Sequence, residues 1–244
     1  MSSSIPKIIH QMWKTETIPP QWERLRETWR HLNPQWRYRL WTHRDSAAFV
    51  AEHYAWFLPV FEGYDQDIKR ADAARYFIMH HFGGVYVDLD FEALRPLEGL
   101  LAGQRLVLGW EPQEHVDREP GVQSRGLTRI LGNAFLASEP RHPFWEAVFE
   151  GLARYREQSA VLDATGPFLL TRVYQHYPHQ SELTVAPSQA LYPVTKWDAW
   201  NGALDPDNAR AYLPEGAYAV HHWNGSYRRE TLIDLVRRHL GRET

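Results

Sequence analysis

The chain has 244 residues, no Cys, a formal net charge of -3 and a sequence pI near 6.5. Without cysteine there is no disulfide, no thiolate metal site and no Cys nucleophile, which fits a reducing compartment. The slightly acidic balance argues against a general nucleic-acid binder, which would carry a basic excess.

The N-terminal run Met1-Ser2-Ser3-Ser4-Ile5-Pro6 lacks the basic and apolar regions of a signal peptide. No stretch approaches the roughly 18 apolar residues of a spanning helix. These features lead us to expect a soluble, cytoplasmic protein. A length of this order suits a single α/β domain with a substantial core. The 11 Trp and 12 Tyr exceed what such a core requires, leaving flat aromatic surface for packing or for stacking on sugars and nucleobases.

Lys7-Ile8-Ile9-His10-Gln11 reads as a buried first strand, and Pro19-Pro20 then opens a helix with Trp22, Leu25, Trp29 and Leu32 at helical spacing. Asn33-Pro34 ends it. Trp36 to Trp41 alternates as a second strand, and Asp45 is placed to cap a helix carrying Phe49 and Val50. Alternation of strands and helices implies a mainly parallel sheet covered by helices, with ligands bound at the carboxyl ends of the strands.

Ile68, Ala71, Ile78, Met79 and Phe82 define a further helix from about residue 66 to 82, stopped by Gly83. Asp72 and Arg75, three residues apart on it, project from one face, either as an ordinary ion pair or as part of a site. The next run, Gly84-Val85-Tyr86-Val87-Asp88-Leu89-Asp90, reads as one apolar strand. Side chains alternate along a strand, so Val85, Val87 and Leu89 would share one face and Tyr86, Asp88 and Asp90 the other. The two carboxylates would sit on Cα atoms about 6.7 Å apart, close enough to reach one hard cation such as Mg²⁺ or Mn²⁺. An isolated Asp-x-Asp is more often a solvated turn; the buried apolar face and the glycine entry favour a site.

Downstream, strands are expected at Leu106 to Trp110, Ala134 to Ala137, Leu183 to Ala186 and Tyr218 to His222. Helices are expected at Phe144 to Tyr155, Phe168 to His176 and Thr231 to Leu240. Glu111 to Thr128, polar and broken by Pro112, Pro120, Gly121 and Gly126, reads as a mobile loop of the kind that covers ligand crevices. The last helix is amphipathic and flanked by Arg228, Arg229, Arg237, Arg238 and Arg242. Packing on the sheet with arginines in solvent is the preferred reading; the same pattern also suits peripheral contact with an anionic membrane. His221 and His222 close the final strand, and a neutral imidazole there could complete a cation's ligand set with the two carboxylates.

Four segments now stand in order: Ile5 to Trp13, Ala71-Asp72-Ala73-Ala74-Arg75-Tyr76, Gly83 to Asp90, and Val220-His221-His222-Trp223-Asn224. Together they resemble the DXD-containing glycosyltransferases of family 32, which include yeast-type α-mannosyltransferases and bacterial capsule and lipooligosaccharide transferases. The resemblance runs from Ile5 to Tyr227. It implies a GT-A fold, a single domain over residues 1–244, a nucleotide-diphosphate sugar donor, Mn²⁺ or Mg²⁺, a glycan or glycolipid acceptor, and transfer with retention. The donor-binding core would be about 5–110, with acceptor and closing elements about 111–244.

Carried over by motif, Asp88 would contact the donor's ribose or the metal, and Asp90 would ligate the metal directly. His221 would ligate metal or diphosphate, with His222 the lesser candidate. Asp72 and Arg75 would bind hydroxyls of the transferred sugar, Trp13 would lie at the nucleobase, and Gln11 would belong to the donor-binding set. Asn133, in Gly132-Asn133-Ala134-Phe135, would bond donor sugar or acceptor. Ser226 and Tyr227 match a Ser-Trp pair near the diphosphate, with Tyr here in place of Trp. Thr165-Gly166-Pro167 resembles the family's helix-opening turn near the acceptor, and reads equally as a plain helix start with Pro at its first position or as part of the site. Two rivals are a nucleotide-sugar hydrolase or pyrophosphorylase and a non-catalytic sugar-binding module. Gln11-Met12-Trp13 in place of a glycine-rich phosphate loop disfavours the former; three converging metal-type ligands disfavour the latter.

Overall fold

The computed structural model describes residues 4–205 and 213–224. The expected C-terminal basic helix and the pair Ser226 and Tyr227 lie outside them. Among the described residues no helix is long and apolar enough to cross a membrane.

The strands are β1 (Ile8–Met12), β2 (Arg37–Trp41), β3 (Gly84–Val87), β4 (Phe91–Ala93), β5 (Leu106–Trp110), β6 (Leu131–Ser138), β7 (Thr184–Ala186) and β8 (Ala219–His221). Six of them form one sheet in the order β2-β1-β3-β6-β5-β7. The pairs β1/β2, β1/β3 and β5/β7 are parallel, and β6 alone runs against its neighbours β3 and β5. The sheet is therefore mainly parallel, and the amino end of β6 lies at the edge where the other strands have their carboxyl ends.

The principal helices are α1 (Pro20–Leu32), α2 (His43–His53), α3 (Asp67–Phe82), α4 (Phe144–Arg154) and α5 (Pro167–His176). Strand alternation sorts the core into two layers. Tyr86, Leu106, Leu108 and Leu136 pack against Phe49, Phe77, Phe149 and Leu169 of α2 to α5 on one face. Val85, Val87, Val107 and Ala137 pack against Trp29 of α1, and against Phe91 and Ala219 of the β4–β8 ribbon, on the other. This is an α/β sandwich with helices on both faces of a single sheet.

Several boundaries differ from expectation for identifiable reasons. Thr42, not Asp45, caps α2: its hydroxyl accepts from the Asp45 backbone, while Asp45 at the third position reaches back to the Thr42 backbone in a capping box. Strand β3 is buried on both faces and ends at Val87. The Asp88 N–H makes one last bond to Ala134 O, and Phe91 N–H then closes a turn onto Asp88 O, so Asp88-Leu89-Asp90 is a turn joining β3 to β4. Residues 111–128 fold rather than hang loose. They contain short helices at Glu114–Asp117 and Pro120–Gln123, and their Val116, Val122 and Leu127 form an apolar cluster with Ile130 and with Phe168 of α5.

Gly83 and Gly84 show why α3 can stop and β3 begin at once. Gly83 has φ 61° and ψ -152°, a region open essentially to glycine. Gly84 has φ +88°, and a Cβ there would stand 2.4 Å from Ile8 Cγ2 and 2.5 Å from Ile8 O. The missing side chain lets β3 lie against β1 and directs the chain straight to Asp88.

Candidate active site

Three strand ends meet at the carboxyl edge of the sheet. β1 delivers Gln11 and, just beyond it, Trp13; β3 delivers Asp88; the reversed β6 delivers Asn133. Helix α3 lies over this edge and contributes Asp72 and Arg75, both buried.

Arg75 is the hub. Its Nη2 pairs with Asp72 Oδ1 at 2.7 Å, and its Nη1 pairs with Asp88 Oδ1 at 3.2 Å and donates to Asn133 O at 2.8 Å. The expected intrahelical pair exists, and it is also part of a larger cluster. The Asn133 amide donates to Asp72 Oδ1 at 3.2 Å and the Thr165 hydroxyl donates to Asp72 Oδ2 at 3.3 Å. Thr165-Gly166-Pro167 opens α5 with Pro167 as its first residue, and it also places the Thr165 hydroxyl on Asp72. The Arg75 Nε is buried without a protein partner among the described residues.

One guanidinium between two carboxylates leaves net negative charge. Burial pushes the Asp72 carboxyl up to about 6, Arg75 opposes this, and the Asp88 charge reinforces it. Asp88 is raised for the same reasons, through burial and the nearby Asp90, against the pull of Arg75. Burial disfavours charge on Arg75 as well, but Asp88, Tyr86 and Asp72 outweigh it, so the guanidinium stays protonated. Asp88 Oδ1 also accepts from Tyr86 OH at 2.7 Å. Gln11 donates to Asp88 O at 3.3 Å and itself accepts from the Tyr38 hydroxyl.

Asp90 is held from the far end of the chain. β8 pairs antiparallel with β4 and sets His221 opposite Phe91. His221 Nε2 lies 3.0 Å from Asp90 Oδ1, and the Asn224 N–H donates to Asp90 Oδ2 at 2.9 Å. Burial works against the charged forms of both groups. Their mutual attraction outweighs it, so Asp90 lies below the usual carboxylate range and His221 above the usual imidazole one. His222 points elsewhere, 2.8 Å from Glu92.

Ligand atoms of Asp88, Asp90 and His221 all lie within 4.8 Å of one another. Two carboxylates and an imidazole form a donor set suited to Mn²⁺ or Mg²⁺, and a cation would relieve the repulsion that raises Asp88. The residues present fit such an ion. The convergence comes from the turn after β3 and from β8, not from alternation along one strand as expected.

Of the residues singled out in the sequence, Gln11, Asp72, Arg75, Asp88, Asp90, Asn133 and His221 come together here. Trp13 sits half-buried at the same edge, its N–H donated to Trp41 O. Tyr76 was not singled out, although it belongs to the network through Thr165 O and the Asn133 amide; its position one turn beyond Asp72 on α3 was the available signal.

Known proteins bear on this geometry. A family profile described as a glycosyltransferase sugar-binding region containing the DXD motif matches residues 19–107. Another, an alpha 1,4-glycosyltransferase conserved region, matches residues 137–235. The chain is 34% identical over 214 residues to a mannosyl phosphorylinositol ceramide synthase of Saccharomyces cerevisiae, covering 81% of this chain and 52% of that protein. It is 31% identical to inositol phosphoceramide mannosyltransferase 1 of Schizosaccharomyces pombe, covering 81% and 63%. The human lactosylceramide 4-alpha-galactosyltransferase is 32% identical, covering 63% and 41%. The chain thus spans roughly half the length of these curated relatives.

Among solved structures, the PaToxG glycosyltransferase superposes with a TM-score of 0.51 at 18% identity over 71% of this chain and 70% of that one. Mouse xyloside xylosyltransferase 1 gives 0.51 at 11% identity over 88% and 96%. These likenesses concern the fold alone, which is of the GT-A type. The ordered motifs, the matched profiles and the shared fold agree: the chain carries a glycosyltransferase sugar-binding region with the DXD motif and is similar to the DXD-containing glycosyltransferases of family 32.

Proposed function

We propose that the protein is a metal-dependent, retaining hexosyltransferase that moves a sugar from a nucleotide diphosphate to a hydroxyl of a glycolipid. The observation that supports it most is the convergence of Asp88, Asp90 and His221 within 4.8 Å, beside the buried Asp72–Arg75–Asn133 network. The names of the relatives, which act on phosphorylinositol ceramides and lactosylceramide, favour a lipid-linked acceptor.

In this reading Asp88, Asp90 and His221 hold the cation. When bound, it supplies a Lewis acid for the charge that develops on the diphosphate. Arg75 fixes Asp88 and Asp72 at a set separation. Asp72 and the Asn133 amide receive hydroxyls of the transferred sugar, and Trp13 lies at the nucleobase. The bond from the anomeric carbon to the phosphate oxygen breaks, its electron pair leaving with the nucleoside diphosphate. The acceptor oxygen bonds to the anomeric carbon on the same face and its proton passes to the departing phosphate. This route requires no protein base.

The test is donor turnover. Purified protein given uridine and guanosine diphosphate sugars with Mn²⁺ is expected to hydrolyse one of them slowly, and EDTA to stop it. Asp90→Asn should lower the rate on the order of 100-fold or more with the fold intact by circular dichroism. Neither binding nor turnover of any donor in the presence of metal would sink the reading. Product anomers read by proton NMR couplings decide retention.

A further inference from the structure

Trp223 is one of two non-glycine residues with positive φ among the described residues, at 53°. A side chain pays for this left-handed backbone with steric strain, so the conformation persists only where its surroundings impose it. Those surroundings are visible. The Trp223 indole donates to Val194 O at 2.8 Å, and its carbonyl accepts from the Trp200 indole at 2.9 Å. Its ring meets His221 edge-on at 4.3 Å on one side and His115 at 4.7 Å on another.

The bend at Trp223 has a direct result for Asp90. Residues on both sides of it bond the same aspartate: His222 N–H donates to Asp90 O at 2.9 Å and Asn224 N–H to Asp90 Oδ2 at 2.9 Å. The His221 imidazole reaches Asp90 Oδ1. A change in the Trp223 backbone would release all three contacts in different directions.

His115 lies in the folded segment after β5, is 2% exposed, and takes no part in the chemistry proposed above. Both ring nitrogens are committed. Nδ1 contacts Glu111 Oε2 at 2.8 Å, and Nε2 accepts the Lys196 backbone N–H at 3.1 Å. Nδ1 therefore carries the proton and the ring is fixed in one tautomer and one orientation. It stands edge-to-face with both Trp223 and Trp197, at 4.7 and 5.3 Å. The segment that presents it is tied down elsewhere by Arg125 on Asp163 and by Lys196 on Glu119.

We propose that His115 is a positioning residue: held by Glu111 and the Lys196 backbone, it wedges Trp223 into its left-handed bend and so sets Asp90 and His221 for the cation. This rests on the metal-dependent reading of the site and extends it to a residue of the segment that follows β5. Outer groups that orient metal ligands commonly alter affinity by about 10- to 100-fold when removed.

The experiment compares His115→Ala, His115→Phe and Val122→Ala. Val122 belongs to the same segment's apolar cluster, so its truncation reports general loosening. Two readouts are taken: Mn²⁺ affinity by calorimetry, and hydrogen exchange of the His222 and Asn224 amides without metal. His115→Ala should weaken Mn²⁺ about tenfold and speed both amides by a similar factor. His115→Phe, which keeps a flat ring against Trp223, should restore most of both, and Val122→Ala should leave both within about twofold of wild type. If the alanine variant does not fold, His115→Gln, which lacks the ring, takes its place. Wild-type values for the ringless variant, or equal changes in Val122→Ala, would overturn the proposal. Should the wild type take up no Mn²⁺, the metal-dependent reading fails, while the amide exchange still decides whether His115 sets the bend.

Discussion

His10 is fully buried on β1 with both ring nitrogens in use. The Trp41 indole donates to Nδ1 at 3.1 Å, so Nε2 carries the proton and donates to Gly83 O at 3.1 Å. Burial therefore pushes its pKa down to about 3. The unfolded chain, with an ordinary imidazole near 6.5, binds the extra proton. Stability from this group is complete above 6.5 and falls as the pH drops towards 3. Between pH 6.5 and 5 the loss should be about 1.5 kcal/mol, read by urea unfolding. His10→Gln keeps a donor and an acceptor without titrating, so its stability should fall less over the same window by that amount. At Arg75 the same scale of reasoning concerns charge. Arg75→Ala strands the buried Asp72 and the partly buried Asp88 and should cost about 3 kcal/mol of stability. If the protein remains folded, binding of the whole nucleotide sugar should weaken more than binding of the free nucleoside diphosphate. Equal loss of both would make Arg75 a structural tie only.

At the scale of elements, α3 was legible because its apolar spacing, the Asp72–Arg75 interval and the terminating glycines are all local signals. Strand β3 was legible as far as Val87. Beyond it, Leu89 continues the alternation in the sequence, but the ladder ends with the Asp88 bond to Ala134, and that limit is set by β6, some 45 residues away in the chain. The two short helices after β5 were hidden by Pro112, Pro120 and Gly121, since four-residue helices have too few positions to show a period. The Trp223 bend and its His115 prop were equally hidden, because both depend on contacts more than 100 residues apart. The closeness of β3 to β1, by contrast, is written in Gly84. Gly84→Ala would force a side chain into φ +88° and into Ile8. We expect a loss of about 3 kcal/mol or more in chemical unfolding. A loss below about 1 kcal/mol would show that β3 can shift away from β1.

Across the whole molecule, the candidate cation site joins parts of the chain that the sheet alone does not hold together. Asp88 and Asp90 leave the central sheet by its third strand in sequence, whereas His221 arrives on a two-stranded ribbon that belongs to no part of it. The chain between Asp90 and His221 also supplies β5, β6 and β7, so a bond across the site closes a loop containing half the sheet. A cation bound only by the folded chain stabilises by mass action, about 2.7 kcal/mol at a concentration 100-fold above its dissociation constant. For a chain of this size that corresponds to an upward shift in melting temperature of roughly 5–10 °C. Imidazole in the donor set favours Mn²⁺ over Mg²⁺, which prefers all-oxygen octahedra, so Mn²⁺ should give the larger shift at equal concentration. His221→Ala should abolish most of the Mn²⁺ shift and reduce the preference over Mg²⁺, because two carboxylates remain. Asp90→Asn should abolish the shift for both ions. A Mn²⁺ shift unchanged in His221→Ala would place the cation on the two aspartates alone and leave His221 with the ion pair it makes to Asp90.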